Sequence, residues 1–280
     1  MSVVIRSIGA SIPERRMTND ELATMIDTSD EWIRSHSGIG SRHIAADGQR
    51  TSDLAVEAAQ KALKKAGIEA HEVDYIVVAT ATPDYFSFPS TACIVQDRIG
   101  AHAAAAFDLT AGCTGFIYGL QTAQGLLESS QGRNALVIGA ETLTRITDWT
   151  DRATCVLFGD GAGAAVLSRI QESGRGILKG ILGADGSGYK ELYLVQNDRT
   201  KTFDREAGSY SGIYMNGQNV YNFAVKSISV LVERIFHASM YSLDELRWIV
   251  PHQANARIVQ AAAKRLRIPV EKFYMNIEEY

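Results

Sequence analysis

Apolar positions along the chain follow two periods. From about Ser52 to Ala66, Leu54, Ala55, Ala58, Ala59, Ala62 and Leu63 recur on one helical face, and Gly67 follows as a stop. The β-branched run Tyr75-Ile76-Val77-Val78 then reads as a buried strand. The same reasoning predicts a helix from about Pro89 to Ile99, a strand at Ala105 to Leu109, an uncharged helix after Cys113 and a strand at Ala135 to Ile138. That alternation is α/β layering.

Later positions repeat the order. A long helix is predicted from about Gln218 to Ala238, a strand at Trp248-Ile249-Val250, a helix from about Gln253 to Arg267 and a strand near Phe273 to Met275. Residues 66–80 and 238–252 each run from a helix end through an acidic turn into an apolar strand, which suggests an internal duplication with halves at 1–172 and 173–280. After its strand the first half continues into a buried helix and more strands, whereas the second stops at Tyr280. The natural gene product is therefore expected to be longer, with the last part of the second half missing.

Leu109 to Leu127 carries no charge over 19 residues, yet it contains Thr110, Gly112, Thr114, Gly115, Gly119, Gln121 and Gln124. That is too polar for hydrocarbon, so a helix buried in protein is expected rather than a membrane span.

The 280 residues are 46% hydrophobic and 21% charged, enough to bury a large core. A formal charge of −4 gives no ground for a nucleic-acid or membrane partner. The first residues have no long apolar core and no small-residue cleavage site, so a cytoplasmic protein is expected. Three cysteines, Cys93, Cys113 and Cys155, fit neither a disulfide framework nor a metal site.

Among these, Cys113 follows a predicted strand and precedes a helix in which Gly115, Gly119 and Ala123 recur every four residues. A thiol at a helix N-terminus is expected to have a lowered pKa and to favour the thiolate; a buried structural cysteine is the alternative. Cys93 and Cys155 lie in apolar surroundings and read as structural. His252, in Val-Pro-His-Gln-Ala-Asn, follows the second half's strand as Cys113 follows one in the first, and open α/β sheets bind ligands at such strand ends. The run at 159–164 lacks the spacing of a phosphate loop and is expected to be a tight connection between a strand near Thr154 to Phe158 and another at Ala164 to Leu167.

The segments Ser29-Asp30-Glu31-Trp32-Ile33, Phe88-Pro89-Ser90, Ala111-Gly112-Cys113, Phe158-Gly159-Asp160-Gly161-Ala162-Gly163-Ala164 and Pro251-His252-Gln253-Ala254-Asn255 together resemble β-ketoacyl-acyl-carrier-protein synthase III, a condensing enzyme of the thiolase superfamily. They occur in the family order across nearly the whole chain. The resemblance implies a duplicated thiolase-like fold, layered α-β-α-β-α, and a two-stage condensation. Cys113 would take an acyl group from acyl-CoA as a thioester. His252 would then hydrogen-bond the thioester oxygen of malonyl-ACP while decarboxylation develops charge there.

The resemblance further implies that Trp32 and Arg152 sandwich the CoA adenine, with Thr28 and Asn255 nearby. It maps the acyl-carrier-protein contact to Gln253, Ala254, Asn255, Ala256 and Arg257. Arg257 and Lys264 lie on one predicted helical face with Arg265 beside them, opposite an apolar stripe of Ile258, Ala262 and Leu266. Phe88 resembles the residue that closes the acyl pocket of an opposite subunit, which implies a homodimer. No cofactor or metal is implied. The sequence departs from the family at His36, where another Arg usually reads the CoA phosphates. The family's Gly-Asn-Thr-Ser asparagine is absent, Asn276 not being its equivalent, so the chain as given is expected to be catalytically defective. Other acyl-CoA condensing enzymes, a Cys-His thiol hydrolase and a non-catalytic acyl- or CoA-binding fragment are the competing readings.

Overall fold

The computed structural model describes residues 1–195 and 212–280. In chain order the first elements are β1 (Ser2–Ser11), β2 (Arg15–Thr18), α1 (Asn19–Ala23), α2 (Asp30–Ser37), β3 (Ser41–Ile44), α3 (Thr51–Ala66) and β4 (Tyr75–Ala79). Then come α4 (Thr91–Ile99), β5 (Ala105–Leu109), α5 (Gly115–Ser129), β6 (Asn134–Thr142), α6 (Arg152–Cys155) and β7 (Asp160–Ile170). The remainder is β8 (Leu192–Val195), β9 (Gly212–Met215), α7 (Gly217–His237) and α8 (Ala256–Leu266). By compactness the chain forms two units that interleave in sequence. The first holds residues 1–15, 43–142 and 160–180; the second holds 16–42, 143–159 and 181–280.

In the first unit, one sheet has the order β1-β7-β6-β4-β5. β4, β5 and β6 are mutually parallel, and β7 runs antiparallel to both β6 and β1. The period-two pattern of the strands decides what covers each face. Ile76, Val78, Leu136, Ile138 and Val166 share a cluster with Leu54, Ala58, Ala62 and Leu63 of α3 and with Ala92 and Val95 of α4. The intervening Ala135, Val137, Ala165 and Leu167 turn the other way, onto Ala123 and Leu127 of α5. A sheet buried on both faces explains why its strands read as continuous apolar runs.

The stripe of small residues lets α5 lie close to that sheet. A Cβ at Gly119 would stand 2.8 Å from Val137 Cγ1, and one at Gly115 would stand 3.0 Å from the Ala79 Cβ. α5 is buried along one face, at Gly115, Gly119, Ala123 and Leu127, while Ile117, Gly125 and Glu128 are exposed, and no helix among the described residues is long and apolar enough to cross a membrane.

Three expectations are corrected. The glycine-rich run is not a connection: Asp160 to Ala164 is the first half of β7, paired throughout with β6 and from Ala162 onward with β1 as well. No strand forms at 154–158. There Asp151 caps α6, accepting hydrogen bonds from the Ala153 N–H at 2.9 Å and the Thr154 hydroxyl at 2.8 Å, which favours a helical turn over extended backbone. The strands predicted at 248–250 and 273–275 reduce to a single parallel bridge between Ile249 and Phe273. Pro251 has no N–H with which to extend the ladder.

The second unit is built on α7 and α8. Val259, Ala263, Ile268 and Phe273 form its apolar cluster, with Ile228, Val232 and Ile249 packed against it. The repeat seen in sequence has a counterpart in local geometry. Residues Ala70–Glu72 and Leu243–Glu245 form matching 3-10 turns. The Glu72 carboxylate accepts the Glu69 N–H at 2.9 Å, and the Glu245 carboxylate accepts the Ser242 N–H at 2.8 Å. Each turn leads into an apolar segment, then a helix, then a parallel partner: β4 to β5, and Ile249 to Phe273.

Candidate active site

Because β4, β5 and β6 are parallel, their carboxyl ends share one edge of the first unit's sheet. Cys113 sits at that edge, four residues past the end of β5, in the 3-10 turn Gly112–Thr114 that precedes α5. Gly112 makes the turn possible, with φ at +53°. The Cys113 side chain is solvent-accessible, and among the described residues it has no hydrogen-bond partner beyond its own backbone. Cys93 is also exposed, in the first turn of α4, contrary to its expected structural burial, whereas Cys155 is fully buried.

The thiol is tuned opposite to expectation. Protein packed around the Cys113 sulfur pushes its pKa up, and the negative charge of Glu141 adds to that effect. Together they outweigh the lowering effect of the hydrogen bond from the residue's own backbone. Glu141, the penultimate residue of β6, has no counterpart among the sequence expectations. Its carboxylate accepts the N–H groups of Ala81 at 2.8 Å and Thr82 at 3.1 Å, together with the Thr82 hydroxyl at 2.5 Å. Burial nonetheless pushes its pKa up.

In the second unit, His252 lies between the Ile249 bridge and α8, on a loop that Gln253 ties down. The Gln253 amide donates to the carbonyls of Pro251 at 3.1 Å and Tyr274 at 3.0 Å and accepts the Asn276 N–H at 3.1 Å. No hydrogen bond to the imidazole is present among the described residues. His252 is exposed as a residue, yet protein packed around the imidazole pushes its pKa below the ordinary value, which favours the neutral ring at neutral pH.

Asn255 caps α8, accepting the Arg257 N–H at 2.8 Å, which starts the helix later than its apolar pattern suggests. The same side chain donates to the His36 carbonyl at 2.9 Å and so joins α8 to α2. Gly38, at φ +84°, allows the approach: a Cβ there would meet the Ala256 Cβ at 2.6 Å.

That junction gathers most of the proposed CoA residues. The Arg152 guanidinium lies 4.8 Å from the centroid of the Trp32 ring. His36 stacks on Trp32 with centroids 4.4 Å apart and planes 20° apart. The Thr28 hydroxyl is buried and has no partner among the described residues. On α8, Ile258, Val259, Ala262 and Ala263 are buried while Arg257, Lys264 and Arg265 face solvent. Phe88 is 82% exposed, on the loop between β4 and α4 with exposed Tyr85 and Phe86. Among the described residues no cluster of His, Cys, Asp or Glu could hold a metal.

Residues 107–186 match the family model described as 3-oxoacyl-acyl-carrier-protein synthase III, and residues 236–280 match the model of its C-terminal part. β-Ketoacyl-acyl-carrier-protein synthase III of Caldanaerobacter subterraneus subsp. tengcongensis is 49% identical over 278 residues, covering 99% of this chain and 83% of the relative. The chain belongs to the β-ketoacyl-acyl-carrier-protein synthase III family. The synthase III of Bacillus pumilus is 46% identical over 280 residues, covering all of this chain and 85% of its own length. Among solved structures, the synthase III of Thermus thermophilus superposes with a TM-score of 0.89 at 43% identity, covering 99% of this chain and 85% of that one. Membership in the synthase III family bears out the resemblance drawn from the sequence segments, and the structural likeness bears out the thiolase-like α/β fold.

Proposed function

We propose that this chain carries the family's condensation through Cys113 and His252. The enzyme is a 3-oxoacyl-acyl-carrier-protein synthase III, an acyltransferase that initiates fatty acid synthesis by condensation. Cys113 gives up its thiol proton, its sulfur attacks the thioester carbonyl of an acyl-CoA, and CoA leaves as the free thiol. Malonyl-ACP then loses carbon dioxide, and the resulting carbanion attacks the acyl-Cys113 thioester, returning the sulfur and forming a 3-ketoacyl-ACP. A neutral His252 donates a hydrogen bond to the malonyl thioester oxygen where negative charge develops.

Trp32, Arg152, Thr28 and Asn255 hold the CoA, with His36 beside them. Exposed Arg257 and its neighbours from Gln253 onward meet the acidic carrier protein. Phe88, together with the edge strand β5, supports a homodimer. Residues 1–172 and 173–280 are read as the two repeat halves, acting without a metal or cofactor in the cytoplasm.

The observation that carries the chemistry is the accessible, unpartnered Cys113 thiol at the carboxyl edge of a parallel sheet, in a chain of this family. Intact-protein mass spectrometry after incubation with a panel of acyl-CoAs tests it. A gain of one acyl group, mapped to Cys113 and lost in Cys113→Ala, is expected. An adduct elsewhere, or free acid in place of a 3-ketoacyl product when malonyl-ACP is added, would overturn it.

A further inference from the structure

Glu141 occupies a position that the condensation chemistry does not explain. It is the penultimate residue of β6, at the same edge as the Cys113 turn, half-buried, and no salt bridge reaches it among the described residues. Its donors all come from one stretch, the turn that follows β4. Oε1 accepts the Ala81 N–H at 2.8 Å; Oε2 accepts the Thr82 N–H at 3.1 Å, the Thr82 hydroxyl at 2.5 Å and the Thr80 hydroxyl at 3.4 Å. The Thr82 hydroxyl in turn accepts the Thr142 N–H at 2.9 Å, closing the clamp on the residue after Glu141.

The clamped turn is where both ends of the nucleophile's segment rest. The Thr80 N–H donates to the Leu109 carbonyl at 3.2 Å, and the Thr110 hydroxyl donates to the Thr80 carbonyl at 3.3 Å. On the far side of Cys113, Gly115 is seated against Ala79, with no room for a larger residue to shift. A carboxylate is the side chain that suits this clamp, since both its oxygens must accept. A glutamine in either orientation would turn its amide N–H groups onto a backbone N–H.

We propose that Glu141 is a positioning residue for Cys113, gripping the turn that supports the nucleophile. Two consequences follow from one side chain. The grip fixes where the sulfur stands. The charge opposes formation of the free thiolate, so the resting site holds the less oxidisable thiol, and its proton leaves only when acylation begins. The direction of the Cys113 thiol described above agrees, with Glu141 contributing after burial. This role presupposes that Cys113 is the nucleophile, and the test separates the two claims.

The test is the pH dependence of Cys113 alkylation by iodoacetamide, with each cysteine followed by peptide mapping and no acyl-CoA present. In the wild-type chain the midpoint should lie above the value of about 8.5 for a free thiol; a midpoint at or below it overturns the proposal without any variant. In Glu141→Gln the midpoint should fall, because the charge that raises it is gone. Acylation of Cys113 by acyl-CoA should slow at least several-fold. Glu141→Asp, which keeps the charge, should restore part of the raised midpoint. A Glu141→Gln protein with wild-type circular dichroism and an unmoved midpoint sinks the proposal. Loss of acyl transfer in the wild-type chain would instead count against the nucleophile assignment, and the alkylation profile would still read Glu141.

Discussion

The Arg152 guanidinium carbon stands 4.8 Å from the centroid of the Trp32 ring, held there by a 3.0 Å hydrogen bond from Arg152 to the Asp27 carbonyl. That is the distance of direct cation–π contact. A planar base stacked on both groups needs roughly twice the van der Waals spacing of about 3.5 Å, so the pair would have to open by a few ångströms to admit the adenine of the proposed CoA site. Binding of CoA is therefore expected to change Trp32 fluorescence. Trp32→Ala should raise KM for acyl-CoA about tenfold, from the loss of about 1–2 kcal/mol of stacking, with kcat changed much less. An unchanged KM would remove Trp32 from the CoA site.

His252 is expected to act after acylation. Protein packed around the imidazole favours its neutral form, with the pKa displaced below the ordinary value. His252→Ala should still form the Cys113 acyl adduct but condense with malonyl-ACP roughly 10²–10³-fold more slowly, the usual cost of one oxyanion donor. The acid limb of the condensation profile should lie below about 6.5. An acid limb above that value, or loss of acylation in the variant, would contradict the assignment.

Much of this site was legible in the sequence because burial writes itself locally. The α3 face, the β4 run and the small-residue stripe of α5 each record a nearby packing surface, and each element formed within a few residues of its predicted range. Gly161 and Gly163 misled because small residues read as a turn, whereas here they continue a strand paired with β6 and, from Ala162 onward, with β1 as well. Glu141 left no local trace at all. Its partners belong to the turn after β4, a contact that parallel pairing creates and no periodicity encodes. The direction of the Cys113 thiol was misread for the same reason: the helix terminus is visible in sequence, and the packing around the sulfur, with the smaller effect of Glu141, is not.

Gly38 is expected to be intolerant of even one methyl group. It closes α2 at φ +84°, and an added Cβ would lie 2.6 Å from the Ala256 Cβ at the start of α8. Gly38→Ala should cost about 2–4 kcal/mol from left-handed backbone strain and overpacking. Pushing α2 from α8 should also strain the Asn255 bond to the His36 carbonyl, raising KM for acyl-CoA. Denaturant unfolding with acyl-CoA titration checks both; a variant of wild-type stability would show that the two helices separate at no cost.

Arg42 supports the same helix from within. Only 2% exposed, it forms no salt bridge among the described residues, and burial pushes its pKa down to about 10, so it remains charged at neutral pH. It donates to the Asn19 side-chain oxygen at 2.8 Å, the Val156 carbonyl at 3.1 Å and the Met17 carbonyl at 3.4 Å. Asn19 passes the connection on, donating to Asp30 at 2.8 Å in the first turn of α2, two residues before Trp32. Arg42→Ala should cost about 3 kcal/mol by leaving buried acceptors unpaired. Arg42→Met tests which effect dominates, because it removes the buried charge yet supplies no donor. If the acceptors matter most, Met should be nearly as destabilising as Ala, and acyl-CoA binding should weaken in both as α2 loosens. A Met variant as stable as wild type would show instead that desolvating the guanidinium cancels all that its hydrogen bonds contribute.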